Sequence, residues 1–197
     1  MAAERKRGKE LEVAILEAAY DIIQTYGYEN MTFQNVAKQA QTSRTVIYSH
    51  YTNKAELLYA LVQYRFRQAL GEKMIDLVQK KGSLRADLLA AVELYQQFLE
   101  AVGAELMSAI LYELSQRNEK FRLFSIRGLE SNIEVMEKIQ AFAIQRGDLK
   151  HELSIMQMSL PFDLLRFENM MRGGKVSKEY LTQLVDDVLM PIYTAET

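Results

Sequence analysis

Residues 32–58, TFQNVAKQAQTSRTVIYSHYTNKAELL, contain the pattern that decides the fold of this chain. Thr32 and Ser43 are good helix N-caps, and each precedes a short run with apolar residues at helical spacing. The pattern predicts two short helices, 33–40 and 44–49, joined by a tight turn at residues 41–42. This is the spacing of a helix-turn-helix, whose second helix is short enough to present its N-terminal side chains to base edges in the major groove.

A longer helix is predicted on either side of this motif. The first covers residues 9–26 and ends at Gly27, because glycine adopts a left-handed C-cap conformation at little cost. Its apolar positions recur at helical spacing and are Leu11, Ile15, Ala18, Ile22 and Tyr26. Asn53 caps the second helix, which is predicted to continue toward residue 78, and Glu56 completes a capping-box-like pair with it.

The remaining chain has the pattern of helices alone. Apolar residues recur at helical spacing over 84–102, 103–116, 121–146, 152–172 and 177–192. Asn-Gly and Asp-Gly turns are absent and few runs alternate strictly, so strands lack support. We therefore predict an all-α protein. A three-helix helix-turn-helix domain covers residues 1–52, and a six-helix bundle for ligand binding and dimerisation covers residues 53–197.

Composition excludes several classes of function. The chain has 197 residues, of which 49% are apolar, and a net charge of −2. It contains no cysteine, so disulfides, thiolate metal sites and cysteine nucleophiles are excluded. No stretch approaches the ~20 apolar residues of a membrane span, and acidic residues interrupt the apolar run that a signal peptide would need. We expect a cytoplasmic protein with no membrane partner.

The helix-turn-helix sequence resembles one family closely. Residues 32–37, TFQNVA, residues 43–58, SRTVIYSHYTNKAELL, and the preceding YGY at 26–28 are similar to the tetracycline-repressor (TetR) family of transcription regulators. The resemblance covers about residues 9–65, and the rest agrees in length, helix count and the turn at 147–149. It implies a DNA-binding domain followed by a domain that binds a ligand and dimerises.

Two positions depart from the family pattern. Gln41 stands where the family usually has glycine, and Val46 stands where smaller residues are usual. Because a left-handed turn closes the first motif helix in the family, Gln41 must either take a strained positive φ or adopt a different turn. The local turn geometry is therefore open at this point.

Residues on and around the second motif helix are candidates for contacts with bases: Gln41, Thr42, Arg44, Thr45, Ser49 and His50. Arg44 is the strongest of these, since its fork of donors matches guanine O6 and N7, and a solvated or phosphate-bound arginine is the alternative. The family commonly contacts the DNA backbone at the positions that match Thr32, Tyr48, Tyr51 and Lys54. A basic arm before the first helix could enter the minor groove; it consists of Arg5, Lys6, Arg7 and Lys9.

Methionine and aromatic side chains are frequent in the middle helices. Such stripes are usually core, but in the family they also line a ligand cavity. The candidates for pocket lining are Tyr95, Phe98, Met107, Tyr112, Phe121 and Met136. Four charged residues could orient a charged ligand, although we expect them on the surface: Glu113, Arg117, Arg122 and Arg127.

The predicted helix over residues 152–172 has two apolar faces. Such a helix needs two surfaces to bury them. One face is expected to join the core, and the other to meet a second copy of the chain across a two-fold axis, where the last helix completes a four-helix interface. The family resemblance implies the same arrangement, and a single large core is the alternative. The interface candidates are Leu160, Leu164, Phe167, Met171, Leu181, Leu184 and Val188.

These observations predict a homodimeric repressor that a small-molecule inducer releases from a palindromic operator in double-stranded DNA. An alternative keeps the DNA binding without a small-molecule ligand, so that the protein is protein-regulated or architectural. A helical enzyme is a third reading, but the chain has only two histidines, His50 and His151, no phosphate-binding glycine loop and no HExxH pair. Asp186-Asp187 is an isolated acidic pair. No cofactor and no metal site are predicted.

Overall fold

The computed structural model describes residues 8–71, 73–173 and 176–195, and all regular structure in these ranges is helical. The predicted all-α class is therefore confirmed. Arg5, Lys6 and Arg7, the greater part of the predicted basic arm, lie outside the described residues. In the same ranges, no helix combines the length and the apolar character needed to cross a bilayer.

The N-terminal helices form close to their predicted bounds. Helix α1 spans Lys9–Tyr26, α2 spans Phe33–Gln39 and α3 spans Arg44–His50. A 3-10 turn at Tyr28–Asn30 joins α1 to the capping residue of α2. Helix α2 contacts both α1 and α3, so these three helices form the predicted helix-turn-helix arrangement.

The later helices differ from the prediction mainly at one boundary. Helix α4, Lys54–Leu70, does not reach residue 78, because Gly71 takes a φ of +62° and turns the chain before the short helix α5, Met74–Leu77. The predicted last helix continues past a π-helical segment, Leu184–Leu189, into α11, Met190–Thr194. The bounds are Lys54–Leu70 for α4, Met74–Leu77 for α5, Leu84–Val102 for α6, Ala104–Ser115 for α7, Glu119–Arg146 for α8, Ile155–Met171 for α9, Lys178–Gln183 for α10 and Met190–Thr194 for α11.

The described residues divide into two compact units. The first contains the chain up to Gln68 together with Glu105–Phe121, so that α7 belongs with the helix-turn-helix. Its buried apolar residues include Ile15, Ile23, Val36, Ile47, Leu61, Leu106 and Phe121. The second contains Ala69–Ala104 and the chain from Arg122 onward. The functional boundary predicted after residue 52 stays a prediction.

A buried pair of amides joins α6 to α9 within the second unit. Asn169 Nδ2 donates to Gln96 Oε1 at 2.7 Å, and Gln96 Nε2 donates back to Asn169 Oδ1 at 3.2 Å. Both side chains are buried in the contact between the two helices, where Arg166 Nη1 also donates to the hydroxyl of Tyr95 at 3.2 Å. Because each amide supplies the partner that the other needs, neither is left unsatisfied in the core.

Candidate nucleic-acid interface

Both motif helices begin at the residues that the sequence predicts. Thr32 Oγ1 accepts the backbone N–H of Asn35 at 3.2 Å, and Ser43 Oγ accepts the backbone N–H of Val46 at 3.3 Å. Each cap satisfies an N–H that has no partner inside its helix. Ile47 is fully buried and fixes which side of α3 faces the core, while Val46 is half-buried.

The turn between α2 and α3 has a left-handed residue that is not glycine. Gln41 takes a φ of +56°. The backbone N–H of Thr42 donates to Ala37 O at 2.9 Å, and that of Gln41 donates to Lys38 O at 3.3 Å, which is the hydrogen-bond pattern of a Schellman motif. The turn therefore keeps the geometry that glycine usually gives, and Gln41 adopts the strained φ rather than a different turn.

The outer face of α3 carries most of the candidates for base contacts. Arg44, Thr45, Ser49 and His50 are exposed on it, Gln41 is exposed in the turn, and Thr42 is half-buried. Ser49 Oγ already donates to the carbonyl of Val46 at 2.7 Å. These side chains lie on a helix of seven residues, a length that can enter a major groove with its N-terminal end first.

The four candidates for phosphate contacts have different surroundings. Thr32 is exposed, and Tyr48 is exposed while its ring packs edge-on against Phe33 with centroids 4.7 Å apart. Tyr51 is only 7% exposed, and burial, with a smaller contribution from Glu12, raises its pKa to about 12. This burial argues against a phosphate contact by Tyr51.

Lys54, the fourth candidate, is half-buried at the start of α4. Its Nζ donates to the carbonyl of Glu29 at 3.2 Å and lies 4.0 Å from the centroid of the Tyr28 ring. The ammonium is therefore already in contact with groups of the protein, although the residue sits at the helix start where a phosphate would approach.

The N-terminus of α4 is held by a network that reaches α8. Asn53 Oδ1 accepts the backbone N–H of Glu56 at 2.9 Å. Glu56 in turn accepts from the backbone N–H and the hydroxyl of Thr52, at 2.9 and 2.6 Å, and from Lys120 Nζ at 2.6 Å. The predicted pair of Asn53 and Glu56 is present, but the Glu56 carboxylate reaches back to Thr52 rather than to Asn53.

The predicted pocket residues do not share one compact unit. Met107, Tyr112 and Phe121 belong to the first unit, whereas Tyr95, Phe98 and Met136 belong to the second, where all three are buried. Tyr112 is 52% exposed and lines a surface cleft of about 310 Å³; the other five candidates do not line that cleft. The cleft is formed by Tyr26–Asn30, Lys54 and one side of α7.

Helix α9 has the two apolar faces that its sequence predicts. Met158, Phe162 and Leu165 are buried. On another face Met156 is 79% exposed, Phe167 60% and Met171 68%, and Leu160 and Leu164 are half-buried. Among the other interface candidates Val188 is half-buried. Leu181 and Leu184 are buried within the chain itself and do not belong to the exposed stripe.

Within the described ranges, no three His, Cys, Asp or Glu side chains lie close enough together to hold a metal ion. Asp186 accepts hydrogen bonds from Nε and Nη2 of Arg85, at 2.6 and 2.8 Å. One member of the isolated acidic pair therefore belongs to an ion pair.

Two family profiles match most of the chain. Residues 15–61 match the bacterial regulatory proteins of the tetR family, and residues 78–188 match the tetracyclin repressor-like C-terminal domain. The chain belongs to the TetR family. Members of this family are DNA-binding transcription regulators with a helix-turn-helix, and they are not enzymes.

Individual relatives agree with this assignment over nearly the whole length. The DNA-binding transcriptional repressor TetR of Mycobacteroides abscessus is 23% identical over 184 residues, which are 93% of this chain and 94% of that protein. FadR of Bacillus subtilis, solved with stearoyl-CoA, superposes with a TM-score of 0.65 at 21% identity, covering 94% of this chain and 99% of that one. A transcriptional regulator of Saccharomonospora viridis, solved with choline, gives 0.69 at 18% identity over 91% and 95%. At these identities the two structures show the shared fold.

One charged side chain of the first unit is buried, against the expectation from the sequence. Glu113 is expected on the surface but is 8% exposed, with its carboxylate bonded to Tyr28 and Asn118. The helical spacing does indicate that Glu113 is buried. Glu113 follows Ile110 by three residues and Leu106 by seven, and both of these residues are buried.

Proposed function

We propose that the chain is a homodimeric repressor that a small molecule releases from a palindromic operator. The observation that supports this most directly is the exposed polar face of α3, capped at Ser43 and supported by the buried Ile47. A helix presented in this way offers donors and acceptors to the edges of bases.

Arg44 is the proposed main contact with a base, with Thr45, Ser49, His50, Gln41 and Thr42 around it. An arginine fork that pairs with guanine O6 and N7 contributes about 1–3 kcal/mol of discrimination against other bases. Thr32 and Tyr48, both exposed, are the proposed contacts with phosphates. Lys54 is a further candidate for a contact with phosphate, because it lies at the start of α4, where backbone N–H groups also face an anion.

The proposed dimer buries the exposed stripe of α9. Met156, Phe167 and Met171 are large apolar side chains left in solvent, and the half-buried Leu160 and Leu164 belong to the same stripe. Val188, on the segment Leu184–Leu189, is also half-buried and is proposed to join the interface. Pairing two copies through this face removes the stripe from water. Two copies of α3 then meet successive major grooves about 34–36 Å apart, which requires a palindromic site.

The proposed inducer acts by favouring a conformer with another spacing between the two α3 helices. A ligand that reverses operator occupancy must prefer that conformer by about 5 kcal/mol. Tyr95, Phe98 and Met136 remain the proposed lining in the second unit, and Met107, Tyr112 and Phe121 in the first. Since similar folds bind stearoyl-CoA and choline, these two compounds are the first probes.

The test is a gel-shift titration of the full chain on the DNA upstream of its own gene. We expect retardation at low salt, and a specific complex that Arg44→Ala weakens by about 1–3 kcal/mol. Arg67→Ala removes the same charge from an exposed position of α4 and serves as the control. No retardation by a folded protein contradicts DNA binding, and equal effects of the two variants contradict base reading by Arg44.

Release by an inducer is tested on the preformed complex of the protein with DNA. Added inducer should dissociate the DNA without dissociating the dimer, as followed by fluorescence anisotropy and sedimentation. A complex that resists a broad panel of metabolites favours a DNA-binding protein of this fold that is regulated by another protein.

A further inference from the structure

The surface cleft beside α7 is lined by three tyrosine rings. Tyr26 is 65% exposed and Tyr112 is 52% exposed, so both present large aromatic surfaces to solvent. The ring of Tyr112 meets the ring of Tyr28 with centroids 5.7 Å apart and an angle of 60° between the two planes. Because the rings are inclined to one another, they form walls of a concave site rather than a flat stack.

An ammonium of the protein itself already lies against one of these rings. Lys54 Nζ is 4.0 Å from the centroid of Tyr28 and donates to the carbonyl of Glu29 at 3.2 Å. A cation in this position is attracted by the negative face of the π-system. The contact of Lys54 therefore illustrates the chemistry that the cleft offers, which is a ring face together with an oxygen acceptor for a positive charge.

Carboxylates outnumber cations around the cleft. Among the described residues that line it, Glu29 and Glu105 carry negative charge and are exposed, and Lys54 carries positive charge. A third carboxylate, Glu113, lies directly behind the tyrosine wall, where its Oε1 accepts the hydroxyl of Tyr28 at 2.6 Å. A concave surface with an excess of negative charge attracts cations and repels anions.

We infer that this cleft binds a small organic cation, an amine or a quaternary ammonium compound, against the rings of Tyr26 and Tyr112 with Glu105 as the counter-charge. Aromatic rings that surround a positive charge are a common means of recognising alkylammonium groups. Of the residues proposed above to line an inducer site, Tyr112 alone belongs to this cleft. The inference does not rest on the proposed DNA binding, because ligand binding is measured without DNA.

The experiment titrates the full chain with tetramethylammonium chloride and follows the ring resonances of isotope-labelled tyrosines by NMR. We expect saturable shifts at Tyr26, Tyr28 and Tyr112, each resonance being assigned from its phenylalanine variant. Sodium chloride at the same ionic strength, and tert-butanol as an uncharged compound of similar shape, should not produce these shifts. Saturation by tert-butanol with equal affinity, or the absence of shifts at these three tyrosines, overturns the inference.

Two variants with matched controls locate the site. Tyr112→Leu removes a ring and Glu105→Gln removes a charge, and each should weaken tetramethylammonium binding by about two- to fivefold. Tyr112→Phe keeps the ring, and Glu130→Gln removes a charge from an exposed position of α8, so both controls should bind like the unmodified chain. Unchanged affinity in either of the first two variants, or an equal loss in their controls, contradicts the site.

Lys54→Ala tests the inference in the opposite direction. It opens the face of Tyr28 and removes a positive charge from the cleft, so tetramethylammonium should bind about two- to fivefold more tightly. Local damage to the cleft would weaken binding instead, and unchanged or weaker binding by the folded variant overturns the inference. Since these titrations contain no DNA, a failure of the cation site is distinguished from a failure of the proposed repressor function, which the gel shift measures.

Discussion

Gln41 occupies a backbone conformation that glycine would adopt more cheaply. Its φ of +56° places the side chain's Cβ close to the following carbonyl, which costs about 1–2 kcal/mol for an L-residue. The two Schellman hydrogen bonds and the buried Ala40 hold the turn in spite of this strain. The strain is therefore stored at the entrance to α3, beside the proposed DNA contacts.

Gln41→Gly should stabilise the protein. Relief of the strain exceeds the extra chain entropy of glycine, which is about 0.5–1 kcal/mol, so we expect a gain of up to about 1 kcal/mol in the free energy of unfolding. Urea denaturation measures it. Gln41→Ala removes the same side chain but keeps the Cβ and should show no gain; an equal gain for alanine would mean that strain is not the cause.

Residues differ in how far sequence alone predicts their role. At Gln41 the sequence leaves two alternatives, a strained positive φ or a different turn, because the allowed regions of φ are a local property of the residue. The partners of Glu113 were not predicted, since Tyr28 lies 85 positions away and only the folded chain brings the two together.

The start of α4 is an element whose stability depends on pH. Hydrogen bonds from Lys120 and then Thr52 lower the pKa of Glu56 to about 2, from a usual value of 4.5. A carboxyl with a depressed folded-state pKa adds stability that is fully present above its unfolded value. This contribution is lost as the pH falls from about 4.5 toward 2.

Glu56→Gln should lower the melting temperature at neutral pH, and the difference from the unmodified chain should shrink below about pH 4.5. Thermal unfolding followed by circular dichroism across this range measures the effect. Glu130→Gln, at an exposed position of α8, is the control and should give no such pH-dependent difference. A constant difference at every pH would indicate lost packing rather than the ionised carboxylate.

A helix boundary was predictable where the apolar spacing stops and a glycine follows. α1 has its predicted bounds because its apolar spacing stops at Tyr26 and Gly27 follows with a φ of +81°. The sequence predicts too long an α4, because the apolar residues after Gly71 continue a helical spacing although the backbone turns at Gly71. Helical spacing indicates which residues can face a core. It does not indicate where one helix ends and the next begins when both have the same spacing of apolar residues.

At the scale of the whole molecule, the described residues include a large apolar face on α9 that is left in water. The exposed stripe of α9 ends in Phe167 and Met171, and it was predictable because one helix carries two apolar faces. The sequence did not separate Leu181 and Leu184, which are core, from the stripe, because periodicity on the last helix does not distinguish a core from an interface.

Phe167→Glu should convert the proposed dimer to a monomer. A carboxylate forced into the apolar interface without a partner costs about 3–5 kcal/mol, which weakens association by about a hundredfold or more. Sedimentation velocity measures the mass, and circular dichroism checks that the subunit stays folded, as expected for a side chain that is 60% exposed. Phe167→Leu should remain dimeric. A monomeric unmodified chain, or a dimeric glutamate variant, contradicts the proposed interface.

The amide pair of Gln96 and Asn169 limits how the second unit can move. If α9 slid along α6 by one turn, Gln96 Oε1 and Asn169 Oδ1 would lose the donors that they have here, at a cost of about 1–3 kcal/mol for each stranded oxygen. Both amide nitrogens would keep an acceptor on their own helix, Glu100 for Gln96 and the carbonyl of Leu165 for Asn169. This cost favours a joint movement of α6 and α9 over sliding of one along the other. The proposed inducer is therefore expected to displace α6 and α9 together, because separate sliding would break the hydrogen bonds between Gln96 and Asn169.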